Sequence, residues 1–115
     1  MRDDRLRLLD ILDAIERIEA QAARGKEAIL RDEFLQVWMI HHLQIVGEAS
    51  AGLSQELRAQ YPQAPWSEAI SMRNVLVHEY FGIDLEVIWD TVSRNLPKLK
   101  QEVERILCEM DKPGS

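Results

Sequence analysis

The segment Arg73-Asn74-Val75-Leu76-Val77-His78-Glu79-Tyr80 gathers a guanidinium, an amide, an imidazole and a phenol in one short run. If it is helical, Asn74 and His78 are one turn apart and share a face. Arg73 stands one step of about 100° from Asn74, and its long side chain reaches toward the same patch. Each group has a use against a phosphodiester. A guanidinium binds phosphate oxygens in pairs and stabilises charge as it builds. An imidazole, with an ordinary pKa near 6.5, accepts and donates protons at neutral pH. An amide orients either one. RNA carries its own nucleophile, the 2′-hydroxyl, so cleavage needs no metal, and the sequence shows no cluster of metal ligands. One imidazole is a thin kit for both removing the 2′ proton and protonating the leaving 5′-oxygen. A two-fold dimer would supply the second, because an isologous interface duplicates whatever lies on it.

Those residues need a scaffold, and the remaining sequence predicts an all-α one. The chain has 115 residues, 46% hydrophobic and 30% charged, with five Gly and four Pro. That is globular composition with little punctuation, and it suits one domain over residues 1–115 with a frayed tail at 111–115. A first helix over 3–24 places Leu8, Ile11, Leu12, Ile15 and Ile18 on one stripe, pairs Asp13 with Arg17, and stops at Gly25. A second helix from near Asp32 to about Val46 is apolar round most of its circumference, so one side is expected to face a second subunit. It is expected to continue, kinked, through the small residues Gly47-Glu48-Ala49-Ser50-Ala51-Gly52 to about Gln60. Small residues there let two helix backbones approach closely. Tyr61-Pro62-Gln63-Ala64-Pro65 is a loop. Ser67 is the expected N-cap of the helix carrying Arg73 and His78, and Asp84 that of the next. Pro97 bends or restarts the last helix. The expectation is an up-and-down bundle of four to five helices.

Fourteen basic against twenty acidic residues give a formal net charge of −6. A general nucleic-acid coat protein would be basic, so any nucleic-acid contact must be a local patch. A single cysteine, Cys108, excludes an internal disulfide and a Cys-based zinc site. No apolar stretch has signal-peptide or membrane-spanning character, and a cytoplasmic location is expected.

With these residues in view the chain resembles the HEPN superfamily, and within it the HepT-like toxins. The resemblance covers roughly residues 4 to 108. It rests on Arg73-Asn74, His78 and Tyr80 as an Arg-x4-His-x-Tyr signature. The surroundings match as well: Pro65-Trp66, Met72, Phe81-Gly82-Ile83-Asp84, Trp89, Leu96-Pro97 and Gly47-Glu48-Ala49. It implies a two-fold homodimer of all-α bundles with the motifs meeting at the dimer cleft. It implies a metal-independent endoribonuclease toxin with no cofactor, with Arg73 and His78 catalytic and Asn74 supporting beside the substrate phosphate. It also implies a minimal nucleotidyltransferase antitoxin, MntA-like, that transfers AMP from ATP to Tyr80. A phosphate there would sit beside Arg73 and add negative charge. The alternative is a non-catalytic HEPN module acting as the regulatory subunit of a nucleotidyltransferase.

Blander roles stand beside these. His78 could be a helix-end histidine on a carbonyl, Arg73 an ion-pair partner of Glu48 or Glu79, and Tyr80 a packed aromatic. Adjacent His41 and His42 point about 100° apart and read as packing or interface residues. Trp38, Trp66 and Trp89 read as core anchors, Cys108 as a small core residue, and the run 102–104 as a solvated face.

Overall fold

The structure is a computed structural model. It describes residues 3–78 and 85–112, and the side chains of all of these except 74–78. Every described element is helical: α1 (Asp4–Ala22), α2 (Lys26–Arg31), α3 (Glu33–Ala51), α4 (Gln55–Gln60), α5 (Trp66–His78), α6 (Leu85–Asp90), a π-helical segment (Thr91–Asn95) and α7 (Leu96–Met110). The all-α expectation holds. The helix count is higher because two short helices and the π segment interrupt the long ones. Helix α3 packs mainly on α1 and α5, and α1 also packs on α7, so neighbours in sequence are neighbours in space, as an up-and-down bundle requires.

Local chemistry explains the boundaries. The Asp3 carboxylate caps α1 by accepting from the Arg5 N–H at 3.0 Å. The helix stops at Ala22, two residues before the expected end, where the Gly25 N–H folds back to the Ala22 carbonyl at 2.9 Å. Gly25 takes φ +96°, which a side chain would resist. Helix α2 follows, unforeseen in the sequence, and holds one fully buried residue, Ile29. Asp32 then caps α3, accepting from the Leu35 N–H at 3.1 Å.

Helix α3 does not run to Gln60. It passes through Gly47 and ends at Gly52. Ser54 starts α4, its hydroxyl accepting from the Leu57 N–H at 3.1 Å while donating to the Asp4 carboxylate at 2.7 Å, which ties this corner to α1. The 61–65 loop is as expected, held by the Trp66 indole donating to the Tyr61 carbonyl at 2.9 Å. Helix α5 begins at Trp66, so Ser67 lies in its first turn and is not its cap. The Pro65 carbonyl takes the first intrahelical bond, from the Ala69 N–H at 3.0 Å. Asp84 lies outside the described residues. Ahead of Pro97 the ladder widens into the π segment, which makes room for a ring that would strike the preceding turn. Helix α7 restarts with proline in its first turn.

The core is one cluster in which Leu8, Ile11, Ile15, Met39, Leu96 and Ile106 are wholly buried. Trp66 is buried, while Trp38 and Trp89 pack partly buried against the cluster. Three expectations are corrected. Cys108 is exposed. Val103 is fully buried, and Glu102 is half-buried and bonded to Arg105 at 2.7 Å, so 102–104 is not a solvated face. Asp111 closes α7 and pairs with Arg5 at 3.1 Å.

Candidate functional site

Arg73 sits where α5 crosses α3. A Cβ built on Gly47 would lie 2.7 Å from the Arg73 amide nitrogen, 2.9 Å from its Cβ and 3.2 Å from its Cα. No side chain fits, so the two backbones touch at that point. The small-residue run read in the sequence does the job expected of it. Packing of α3 on α5 thus fixes the root of the Arg73 side chain, while its guanidinium stays partly open.

The guanidinium leans on the next residue of α3. Arg73 Nη1 lies 3.5 Å from Glu48 Oε2, with the two side chains 36% and 67% exposed. The separation is long for an ion pair and the site is wet, so this contact is weak and displaceable. Of the two partners considered for Arg73, Glu48 is the one seen, and Glu79 lies outside the described residues.

Asn74 and His78 both lie on α5, which is helical through His78. From Arg73 to His78 is five residues, about 140° round the helix and about 7.5 Å along it. Within one chain, then, the two backbone positions diverge by more than a third of the circumference. The side chains of Asn74 and His78, and the whole of Tyr80, lie outside what the structure describes.

The sequence reading missed a groove beside Glu48. Between α1 and α3 lies a cavity of 450 Å³ lined by Arg7, Asp10, His41, Gln44, Ile45, Glu48 and Ala49. The two adjacent histidines divide here. His42 shares a hydrogen bond between Nδ1 and the Trp38 carbonyl at 2.9 Å and lies over the Trp38 ring at 4.0 Å, as a packing residue does. His41 is exposed and meets His42 edge-on, so it is not a packing residue. The available signal was spacing: His41 and Glu48 are seven apart, two turns on one stripe. Among the described residues no group of His, Cys, Asp and Glu is placed to hold a metal, and no helix is long and apolar enough to cross a membrane.

An all-α bundle with an arginine seated on a glycine crossing and a histidine five residues on is the setting of a known family. The HepT-like family model, described as ribonuclease HepT-like, matches residues 11–106, and the chain belongs to that family. A Methanocaldococcus jannaschii protein named "Putative RNase MJ1380" is 36% identical over 104 residues, 90% of this chain and 95% of its own. "Probable ribonuclease HepT" of Thermococcus cleftensis is 39% identical over 100 residues, 86% of this chain and 91% of its own. "Gamma-glutamylcyclotransferase and putative RNase MJ0434" of M. jannaschii is 38% identical over 112 residues, and the chain spans only half of that protein's length. No solved structure gives a significant match.

Proposed function

We propose that this chain is a metal-independent endoribonuclease, the toxin of a toxin–antitoxin pair acting in the cytoplasm as a two-fold homodimer. The observation that carries the reading is Arg73, pinned at the α3–α5 crossing with a partly open guanidinium on the helix that also bears His78, in a chain of the HepT-like family. The 140° offset favours a composite site, in which Arg73 and His78 of two chains face one phosphate.

In the reaction, the 2′-oxygen attacks phosphorus and the 5′-oxygen leaves, giving a 2′,3′-cyclic phosphate. A neutral His78 takes the 2′ proton, and a protonated copy from the partner chain gives one to the 5′-oxygen. Arg73 holds the non-bridging oxygens as their charge grows, and Asn74 orients the phosphate. A nucleotidyltransferase antitoxin silences the site by joining AMP from ATP to the Tyr80 phenol oxygen, with pyrophosphate leaving. The added phosphate competes for Arg73.

The test is RNA cleavage in the presence of chelator by wild type and His78→Ala. Wild type should yield cyclic phosphate ends, and the variant should lose at least about 100-fold in rate. Cleavage abolished by EDTA, or retained by His78→Ala, overturns the mechanism. No cleavage and no growth arrest would support the non-catalytic regulatory module instead.

A further inference from the structure

The groove between α1 and α3 runs into the Arg73 site, and its polar groups have no role in the reaction just described. From α1, the Arg7 guanidinium is seated over Gly52 at the end of α3, where any Cβ would overlap Nη1 and Cζ. Its Nε is buried with no hydrogen-bond partner among the described residues. From α3, His41 is exposed on the groove, Gln44 follows one turn on, and Glu48 one turn further. Glu48 is the residue that meets Arg73. Arg7, His41 and Arg73 therefore border one trough about 10 Å long, two turns of α3.

Charge decides what the trough takes. Its carboxylates are Asp10, one turn from Arg7 on α1, and Glu48 at the Arg73 end. With His41 neutral, Arg7 and Arg73 balance the two carboxylates. With His41 protonated, the trough is positive. The chain as a whole carries −6, so this is a local relief from a surface that repels polyanions at longer range. A preset guanidinium with an unmet donor, an imidazole and a primary amide in a line are phosphate-binding groups, and they carry no base-reading information.

We propose that this groove binds the RNA backbone beside the cleaved bond, with Arg7 and His41 contacting the flanking phosphates and Gln44 hydrogen-bonding between them. The proposal rests on the ribonuclease reading and extends it to substrate binding. A phosphate entering at Arg73 displaces Glu48, and the next phosphates follow α3 toward His41. Binding along this track is sequence-tolerant.

The probe is a short single-stranded oligonucleotide, 2′-O-methylated throughout so that it is not cut, titrated by fluorescence anisotropy at several salt concentrations. Arg7→Gln should raise Kd about 5- to 10-fold and His41→Gln about 3-fold. Each should flatten the salt slope by about 0.7 per lost phosphate contact. Gln44→Lys should tighten binding about 3-fold. Arg31→Gln, an exposed residue at the far end of α3, should change nothing. Arg7 is packed on α3, so if its variant melts early the two α3 variants decide. Wild type that cuts RNA, with His41→Gln and Gln44→Lys binding at its Kd and salt slope, overturns the groove alone. Variants that bind RNA normally but lose self-association or antitoxin binding make the groove a protein surface and overturn it too. Wild type that neither binds nor cuts RNA removes the ribonuclease reading, and the groove with it.

Discussion

Glu48 is the only carboxylate seen against Arg73 among the described residues, and it occupies the guanidinium face a phosphate would need. At 3.5 Å and with both groups wet, such a pair is worth on the order of 0.2–1 kcal/mol. A phosphate taking two parallel hydrogen bonds is the stronger partner. Substrate therefore displaces Glu48, and removing its charge removes a competitor. Glu48→Gln should tighten binding of an uncleavable oligonucleotide by about 1.4- to 5-fold, the range those energies allow. Anisotropy titration checks it. Weaker binding would mean that Glu48 chiefly holds Arg73 in place. At this scale the sequence announced Arg73 and His78 by type and spacing. It hid His41, because two adjacent histidines in an apolar helix look alike until the core fixes the rotation of α3. Leu35, Met39, Leu43 and Val46 turn inward, and that choice leaves His41 on the groove and His42 on Trp38.

The α3–α5 crossing tests the helices as elements. Gly47→Ala raises intrinsic helix propensity by roughly 1 kcal/mol. The new methyl, however, would sit 2.7 Å from backbone nitrogen of Arg73, and backbone in a packed helix cannot swing aside. Overpacking of this kind costs typically about 1–3 kcal/mol, so the net effect should be destabilising or at best neutral. The larger effect falls on function, since α5 must move and it carries Arg73. Gly47→Ala should lose cleavage by more than tenfold while its thermal melt stays cooperative. Wild-type activity in that variant would show that the close approach does not position Arg73. This crossing was legible in the small-residue run, and so were the stripes of α1, α3 and α7 and the 61–65 loop. The short helices were not. Six residues with one buried side chain, as in α2 and α4, are below the length at which helices form on propensity, and only tertiary contact makes them. The π segment was half legible: Pro97 required an interruption, but a proline does not say whether the chain kinks or widens its ladder.

For the molecule as a whole, charge and surface carry the remaining expectations. Lys100 on α7 donates to Glu19 on α1 at 2.7 Å, and that hydrogen bond, against some desolvation, raises the ammonium pKa above its ordinary value. A raised pKa in the folded state means the stability it contributes is complete below about pH 10.4. It is lost as pH climbs through the folded value. Burial and the neighbouring Glu109 raise the Tyr61 phenol in the same sense. Thermal melts should therefore fall from pH 9 upward, and Lys100→Gln should fall less steeply than wild type; parallel curves would refute the assignment. Assembly is read from α3. Its buried apolar residues supply the core, yet Phe34 remains 89% and Val37 65% exposed one turn apart on the outside. A single chain gains nothing from them there, whereas a second chain could bury them. The composite active site needs that second chain, because Arg73 and His78 diverge on their own helix. Sedimentation at micromolar concentration should give twice the 13.3 kDa chain mass. The double variant Phe34→Glu, Val37→Glu should sediment as a monomer. Being exposed, these residues should leave the melt within about 1 kcal/mol of wild type, and cleavage should disappear along with the dimer. A variant that is monomeric and still cuts RNA would place both catalytic groups in one chain. A wild type that is already monomeric would leave the exposed face of α3 to some other partner.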